Sequence, residues 1–329
     1  MRYLLGDFTS AGGPGLVTAG PGGLGAAAAV ADPSWVVVGP AAVYALSRSS
    51  TEPGSASAWH LGEDGALEHV GRDRSTGGCS PCHGAVDVSG RWLLVANYGK
   101  ADGSGATVAV LPVGEGGVLG ELADVVELEG SGPHADRQAG PHAHQVVCRG
   151  ERVFAVDLGS DRVHAFDLGE DGKLVPVAVT PLEPRFGPRH LAFLGDRVVI
   201  AGELAGAFAV GAYDERSGRF AFGSPVPLPR NGTASLPAAV VPDPARGLVY
   251  LTVRGPDVLA VVDPAAGALL RSVPVGAAWP RDAVLAEDGS VLVACQHGGE
   301  VMRVDPSGRR PPVAEWTVPG VSCVAALES

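Results

Sequence analysis

Residues 141–159 read PHAHQVVCRGERVFAVDLG, and this stretch contains two apolar runs with a turn between them. The first run includes residues 146–147, the second covers residues 153–156, and Gly150 lies between the two. Short apolar runs that are rich in β-branched residues and joined by a glycine-containing turn are typical of a β-hairpin. The stretch therefore predicts two antiparallel strands.

The same arrangement recurs five more times along the chain. Each copy opens at or near a proline, continues as an apolar run, reverses at a turn and closes with a second apolar strand that ends in a polar residue. The copies follow one another at about 40 to 50 residues, which is the period of β-propeller blades. They are DPSWVVVGPAAVYAL from Asp32, SPCHGAVDVSGRWLLVANYG from Ser80, GPRHLAFLGDRVVIAGEL from Gly187, LPAAVVPDPARGLVYLTVRG from Leu236 and WPRDAVLAEDGSVLVACQHG from Trp279.

Most copies are followed by a further strand and a chain-reversing element, as in HAFDLGEDGKL from His164 and VGAYDERSGRF from Val210. These elements predict four strands in each unit. Six complete copies leave two fragments, RYLLGDF from Arg2 and GVSCVAAL from Gly320, which together complete a seventh unit. Pairing of the two chain ends would close a ring and protect the edge strands that open sheets expose.

The chain is therefore predicted to be an all-β protein, a seven-bladed β-propeller with four-stranded antiparallel blades and a ring closed by the N- and C-terminal strands. Residues 1–329 are expected to form a single domain, because no interdomain linker is apparent. The Gly/Ala-rich stretch at residues 11–31 is interpreted as a strand and turn of the first blade, because the first copy begins directly after it. Amphipathic helical periodicity is nearly absent.

Composition and charge favour a folded protein that acts on small molecules. Hydrophobic residues make up 46% of the chain and charged residues 18%, which argues against disorder. The net charge of −12 argues against a nucleic-acid partner, because phosphate backbones are bound by clustered Lys and Arg. An anionic substrate must then be bound by a few individual arginines in the site. The sequence contains no Lys/Arg cluster, so it does not predict a dense phosphate pocket.

The sequence also favours the cytoplasm. The N-terminal segment MRYLLGDFTS is interrupted by Gly6 and Asp7, so it lacks the apolar core of a secretory signal, and no run reaches transmembrane length. The five cysteines show no spacing that suggests a disulfide framework, and the Cys79–Cys82 pair lacks the second pair that a structural zinc site needs. No metal, cofactor, membrane or nucleic-acid partner is expected, and a closed propeller is expected to be a monomer.

Across these copies the chain resembles the seven-bladed lactonase family, which includes 6-phosphogluconolactonase and the fungal carboxymuconate lactonising enzyme. The resemblance spans almost the whole chain. Its most specific pieces are PHAHQV with the following VDLGSDRV, GPRHLAF with the following GEL, VRG after the LVYL strand, and WPRDAV.

The resemblance implies a site at one end of the propeller channel, to which several blades contribute. The lactonising branch of the family places a histidine, two arginines and a glutamate there. The matching positions in this sequence, and therefore the candidate catalytic residues, are His144, Arg189, Glu203 and Arg254.

The residues themselves give a physical reason for such a site. Glu203 follows the apolar run VVIAG, where an unpaired carboxylate is costly, so it needs a cationic partner. Arg189 and Arg254 are the expected partners, and the same three groups could instead form a structural inter-blade salt bridge. Either His144 or Glu203 could activate water, and the arginines could bind a substrate anion or stabilise an oxyanion.

Other candidates lie near the ends of the paired strands. His142 and His144 stand at i and i+2 in a predicted strand, which places both side chains on one face, so His142 is expected to support His144. Arg281 in WPRDAV parallels Arg189, and His83 and Gln296 occur near strand ends, so these residues and His142 are predicted to bind substrate. Asn97, Tyr98 and Asp157 are expected to be mainly structural.

Three functions are compatible with these residues. The first is a lactonase that hydrolyses a sugar-derived lactone, with 6-phosphogluconolactone as the substrate that the resemblance implies. The second is a cycloisomerase of the carboxymuconate type, which interconverts a diacid and its lactone. The third is a propeller that binds a ligand without catalysis, because a fold does not determine chemistry. The predicted partner is a small anionic lactone or carboxylate.

Overall fold

The computed structural model describes residues 1–49, 53–99 and 105–327, and within them the chain forms 29 β-strands and two single turns of 3₁₀ helix, Thr9–Ala11 and Glu115–Gly117. The first three strands are β1 (Arg2–Asp7), β2 (Leu16–Gly20) and β3 (Gly23–Ala28). Among the described residues, none forms a helix with the length and apolar character that spanning a membrane requires.

The next strands form six consecutive sheets, which are numbered here as blades I to VI. Blade I consists of β4 (Pro33–Val38), β5 (Val43–Ser47), β6 (Ser55–Leu61) and β7 (Leu67–Ser75). Blade II consists of β8 (Cys79–Val86), β9 (Trp92–Gly99), β10 (Ala106–Pro112) and β11 (Asp124–Leu128). Blade III consists of β12 (Ala143–Arg149), β13 (Arg152–Asp157), β14 (Arg162–Leu168) and β15 (Leu174–Pro181).

The remaining strands complete the ring. Blade IV consists of β16 (Pro188–Leu194), β17 (Arg197–Gly202), β18 (Ala207–Asp214) and β19 (Arg219–Phe222), with the short β20 (Val226–Pro227) also paired to β18. Blade V consists of β21 (Leu236–Asp243), β22 (Leu248–Arg254), β23 (Val258–Asp263) and β24 (Ala268–Pro274). Blade VI consists of β25 (Pro280–Leu285), β26 (Val291–Cys295), β27 (Glu300–Val304) and β28 (Val313–Thr317), and the last strand is β29 (Val321–Leu327).

Blade VII joins the two ends of the chain, as the sequence predicted. Its strand order is β29-β1-β2-β3, and β29 pairs antiparallel with β1. The innermost strand of each blade contacts the innermost strands of the blades on both sides, and β29 itself lies between β25 and β4. The chain is thus a seven-bladed β-propeller of four-stranded antiparallel blades, closed by its terminal strands.

The Gly/Ala-rich stretch at residues 11–31 lies in a different blade from the one predicted. It contains β2 and β3, which share the sheet of β1 and β29, so it belongs to the closing blade VII and not to the blade of the first copy. The reason is that β1 continues into β2 as a hairpin, whereas the first copy starts a new sheet with its own innermost strand.

The uninterrupted apolar runs of the second strands follow from burial on both faces. In β13, Val153 and Ala155 pack in the cluster shared with blade II, whereas Phe154 and Val156 pack in the cluster shared with blade IV. Alternate side chains of a strand point to opposite faces, so a sheet covered on both sides needs apolar residues at every position. The hydrophobic core is therefore divided into layers between neighbouring blades.

Asp282 on β25 links blade VI to the closing strand and makes stability depend on pH. Its Oδ2 accepts the Val324 amide of β29 at 3.0 Å, and burial raises the pKa of Asp282 from 3.8 to about 6. A carboxyl group whose pKa is higher in the folded state than in the unfolded state destabilises the fold as it ionises. The free-energy penalty therefore grows as pH rises from the ordinary pKa of 3.8 to the folded-state pKa of about 6, and it is constant above that range.

We expect Asp282→Asn to remove part of this dependence. In urea unfolding at pH 5 and pH 8, the unfolding free energy at pH 8 minus that at pH 5 should be about 1.4 kcal/mol more positive in Asp282→Asn than in wild type, because the ionisation of this carboxyl group no longer costs stability. Glu170→Gln at an exposed turn is the control and should leave that difference unchanged. An equal pH dependence in Asp282→Asn and wild type would contradict this account.

Candidate active site

Two rings of equivalent residues surround one mouth of the central channel. A β-bulge interrupts every innermost strand near its start, so at each blade the same position departs from regular pairing. From blade I to blade VII these bulge positions hold Ser34, Cys82, His144, Arg189, Ala238, Arg281 and Ser322. Beside them, where each second strand ends, lie Arg48, Tyr98, Leu158, Glu203, Arg254, Gln296 and Phe8.

The size of the bulge residue decides its role. Small residues bind the next blade: the Ser322 hydroxyl donates to the Pro33 carbonyl at 2.7 Å, the Ser34 hydroxyl donates to the Pro81 carbonyl, and Cys82 Sγ lies 3.2 Å from the Ala143 carbonyl. His144, Arg189 and Arg281 are too large for that contact. The bulge therefore places one imidazole and two guanidinium groups at the channel mouth.

Glu203 is the centre of the site. Its side chain is 4% exposed, and both carboxylate oxygens are engaged by arginines. Oε1 accepts from Arg137 Nη2 at 2.8 Å, and Oε2 accepts from Arg254 Nη2 at 2.7 Å. Arg189 Nε lies 3.2 Å from Oε2 as an ion pair without hydrogen-bond geometry, which leaves this N–H without an acceptor in the described part of the chain.

This arrangement fixes the charges of the four groups. Burial alone would raise the pKa of Glu203, but Arg254, Arg189 and further cationic groups outweigh it and hold that pKa well below 4.5. Burial, followed by the repulsion of Arg254, lowers the pKa of Arg189 to about 9, so Arg189 is still a cation at neutral pH. The site therefore contains a permanent carboxylate surrounded by more positive charge than it can neutralise.

Three buried imidazoles lie next to this centre. His190 packs against His83 at 5.2 Å and against His144 at 5.4 Å between ring centroids, and Trp35 stacks on His83 at 4.2 Å. Burial, followed by the positive charge of Arg189, lowers the pKa of His144 well below 6.5 and that of His83 to about 3. These histidines are therefore neutral at physiological pH.

His144 has a buried nitrogen that no described group engages. It is 7% exposed, and its Nδ1 has no hydrogen-bond partner among the described residues. Glu203 contributes to holding its pKa up, so a protonated His144 would be stabilised by the carboxylate. A neutral imidazole that can accept a proton beside a fixed anion has the properties of a general base.

Tyr98 contacts both His142 and His144, which the sequence analysis placed on one face of a strand. His142 stacks face to face on Tyr98 at 4.1 Å and its Nδ1 lies 2.9 Å from the Tyr98 carbonyl oxygen, whereas His144 meets Tyr98 edge-on at 5.9 Å. The bulge at His144 interrupts the regular alternation of the strand. His142 and His144 therefore both contact Tyr98, and the supporting role of His142 stays a prediction.

The four candidate catalytic residues of the sequence analysis lie together at the channel mouth. Of the predicted binding residues, Arg281 contacts Gln296 at 3.4 Å, His142 lies at the rim, and His83 lies in the imidazole cluster. Asn97 and Asp157 bind loop backbone through the Thr76 carbonyl and the His142 amide. A groove of about 620 Å³ between β15 and β19 contains none of these residues.

The sequence analysis overlooked three residues of the site. Arg137 reaches Glu203 from the loop between β11 and β12, which lies outside the repeat. His190 directly follows Arg189 in the GPRHLAF motif, and Arg48 occupies in blade I the position that Glu203 has in blade IV. Alignment of the six copies residue by residue would have identified the last two.

The described residues form no metal-binding cluster, and the Cys82 thiol at the channel mouth is buried. Within residues 1–49, 53–99 and 105–327, no group of three or more His, Cys, Asp and Glu side chains is arranged to hold a metal ion. Cys82, Cys148, Cys295 and Cys323 form no disulfide bond, and burial raises the pKa of Cys82 to about 12. The expectation that no cofactor is needed stays a prediction.

Comparison with known proteins gives the family. The model of the lactonase family of seven-bladed β-propellers matches residues 22–325. The chain belongs to this lactonase family. A 6-phosphogluconolactonase of Bacillus subtilis is 33% identical over 228 residues, which are 66% of this chain and 63% of that protein. An uncharacterised protein of Staphylococcus epidermidis is 30% identical over 269 residues, which are 78% and 76% of the two chains.

Solved structures of lactonases share the whole fold. The periplasmic gluconolactonase of Pseudomonas aeruginosa superimposes with a TM-score of 0.87 at 26% identity, covering 98% of each chain. The chain therefore shares the fold of this gluconolactonase over nearly its whole described length.

Proposed function

We propose that this member of the lactonase family hydrolyses the lactone of an anionic sugar acid, with 6-phosphogluconolactone as the first substrate to test. The observation that carries the proposal is the group at the channel mouth: neutral His144 beside Glu203, with Arg189 and Arg254 bound to that carboxylate. The names of the relatives in Bacillus subtilis and Pseudomonas aeruginosa support the same reaction.

We propose His144, and not Glu203, as the general base. Both oxygens of Glu203 accept from arginines and its pKa is well below 4.5, so it is a poor proton acceptor. His144 is neutral, and its buried Nδ1 has no hydrogen-bond partner among the described residues. Glu203 instead positions the arginines and stabilises the imidazolium that forms on His144 during the reaction.

Hydrolysis then needs one water molecule and no other reactant. His144 accepts a proton from water as the water oxygen forms a bond to the lactone carbonyl carbon, and the carbonyl oxygen becomes an oxyanion near the Arg189 Nε–H. The oxyanion re-forms the carbonyl as the ring C–O bond breaks. The leaving alkoxide takes the proton back from His144, which yields the open hydroxy acid and restores the neutral imidazole.

The pH dependence of the reaction distinguishes this base from an ordinary histidine. Because the pKa of His144 lies well below 6.5, its neutral form persists as pH falls, and we expect kcat/KM to be level from pH 8 to about pH 6. Stopped-flow rates corrected for spontaneous hydrolysis would show this plateau. An activity that rises with a midpoint at or above pH 6.5 would point to a different base.

The function itself is tested by pH-stat hydrolysis of 6-phosphogluconolactone and gluconolactone, with product analysis. Formation of the hydroxy acid above the spontaneous rate is the expected result. Conversion of a muconate-type diacid to its lactone, with no hydrolysis of either sugar lactone, would replace this proposal by the cycloisomerase. No turnover of any of these substrates would leave a ligand-binding propeller.

We also propose that the enzyme works without a cofactor, as a monomer and in the cytoplasm. The hydrolysis scheme uses only water and side chains of this chain, and Cys82, Cys148, Cys295 and Cys323 form no disulfide bond, which suits a reducing compartment. Full activity after dialysis against EDTA, together with a molar mass near 33 kDa by light scattering, is expected. A loss of activity that added metal restores would overturn the cofactor-free reaction.

A further inference from the structure

The arginines at the channel mouth fall into two groups with different partners. Arg137, Arg189 and Arg254 all contact Glu203. Arg281 and Arg48 have no carboxylate within salt-bridge distance in the described parts of the chain. The second group therefore carries positive charge that is not neutralised by contact.

Arg281 and Arg48 meet at the ring of Phe8. The guanidinium carbon of Arg48 lies 4.0 Å from the Phe8 ring centroid, and that of Arg281 lies 5.6 Å from the same centroid. Gln296 Oε1 lies 3.4 Å from Arg281 Nη1 and orients this side chain from blade VI. Two cations from blades I and VI thus share one aromatic ring of blade VII.

The same side of the mouth has room for a ligand. A cavity of about 380 Å³ is lined by Asp32, Arg48, Ser49 and Ser80. Asp32 also lines this cavity, and its Oδ1 accepts the Ser10 amide at 2.8 Å and the Thr9 hydroxyl at 3.2 Å. These hydrogen bonds and the charge of Arg48 outweigh burial and lower the pKa of Asp32, so one carboxylate lies near Arg48 in the cavity.

We propose that Arg281 and Arg48, on either side of blade VII, form a second anion subsite that binds the phosphate of a phosphorylated sugar lactone, while the ester reacts beside His144 and Arg189. This inference rests on the proposed lactonase function and names the residues that select its substrate. Two guanidinium groups match the double negative charge of a phosphate monoester and can each bind two of its oxygens.

The test compares two substrates that differ only in the phosphate. Arg281→Gln and Arg48→Gln are each expected to lower the ratio of kcat/KM for 6-phosphogluconolactone to that for gluconolactone by about 10- to 100-fold, because each removes charge-assisted hydrogen bonds. Arg91→Gln, in the turn between β8 and β9 at the other end of blade II, is the control and should leave the ratio unchanged. An unchanged ratio in both subsite variants would overturn the proposal.

A binding measurement separates failure of the subsite from failure of the function. Calorimetric titration of wild type with 6-phosphogluconate and with gluconate is expected to show tighter binding of the phosphorylated acid, and the double variant Arg281→Gln/Arg48→Gln should lose this preference. If wild type hydrolyses neither lactone but shows the preference, the lactonase function fails and the subsite stands. Equal binding of the two acids by wild type would overturn the phosphate subsite even if hydrolysis is observed.

Discussion

Replacement of Glu203 by Gln is expected to lower the free energy of unfolding by about 3–5 kcal/mol, because it leaves buried cations without their counter-charge. Arg189 and Arg254 both lie within salt-bridge distance of Glu203 Oε2 and are themselves 3% and 7% exposed, so water cannot replace the carboxylate. The same change should reduce kcat/KM by about 10³-fold, because the arginines lose their anchor and the protonated form of His144 loses its stabilising anion. Urea unfolding and initial rates measure the two effects.

Glu315→Gln is the matched control. Glu315 forms a bidentate pair with Arg303 through contacts of 2.8 and 3.0 Å, but the two side chains are 25% and 29% exposed. An ion pair that water can reach contributes less than about 1 kcal/mol, so this variant should unfold near wild type and keep its activity. If Glu203→Gln unfolds at the same urea concentration as Glu315→Gln, the carboxylate is not required to neutralise the arginines.

Replacement of His144 by Asn is expected to lower kcat by about 10³-fold with a much smaller change in KM, because it removes the proton acceptor and leaves the arginines in place. The effect on stability should be modest, because the neutral imidazole forms no charge pair at physiological pH. Steady-state kinetics with 6-phosphogluconolactone, together with urea unfolding, gives both quantities.

His142→Asn tests whether the effect belongs to the base. His142 lies two residues away, stacks on the same Tyr98 and is bound to the Tyr98 carbonyl, so its removal disturbs the same wall of the site without removing the proton acceptor. We expect a decrease in kcat of less than about 10-fold. Equal losses in the two variants would assign His144 to the support of Tyr98 and leave the identity of the base open.

Much of the fold could be predicted because the same sequence pattern repeats in nearly every blade. The strand–turn–strand copies, the four strands per unit and the joining of Arg2 to the C-terminal tail all follow from patterns of apolar residues and turns, and the structure confirms them. The stretch at residues 11–31 was assigned to the wrong blade, because sequence order does not show which sheet a hairpin joins when the ring closes across the two chain ends.

The site could be predicted only in part. Glu203 was expected to need a cation because it follows a buried run, and Arg189 and Arg254 are its partners. The sequence contains no Lys/Arg cluster and so did not predict a basic pocket. Five arginines from four blades and one loop nevertheless converge at the channel mouth. A local pattern cannot show this, because a ring brings together residues that are far apart along the chain.

What the sequence determined by itself is the blade, since apolar runs and turn residues are local properties of each copy and their period can be read along the chain. What only the tertiary structure decided is the chemistry at the mouth. The bulge in each innermost strand and the closure of the ring set which side chains face one another, and the low exposure there fixes their charges: Glu203 ionised, His144 neutral, and Arg281 and Arg48 without a carboxylate partner among the described residues. Burial and proximity are properties of the assembled ring, so they appear only when all seven blades are in place.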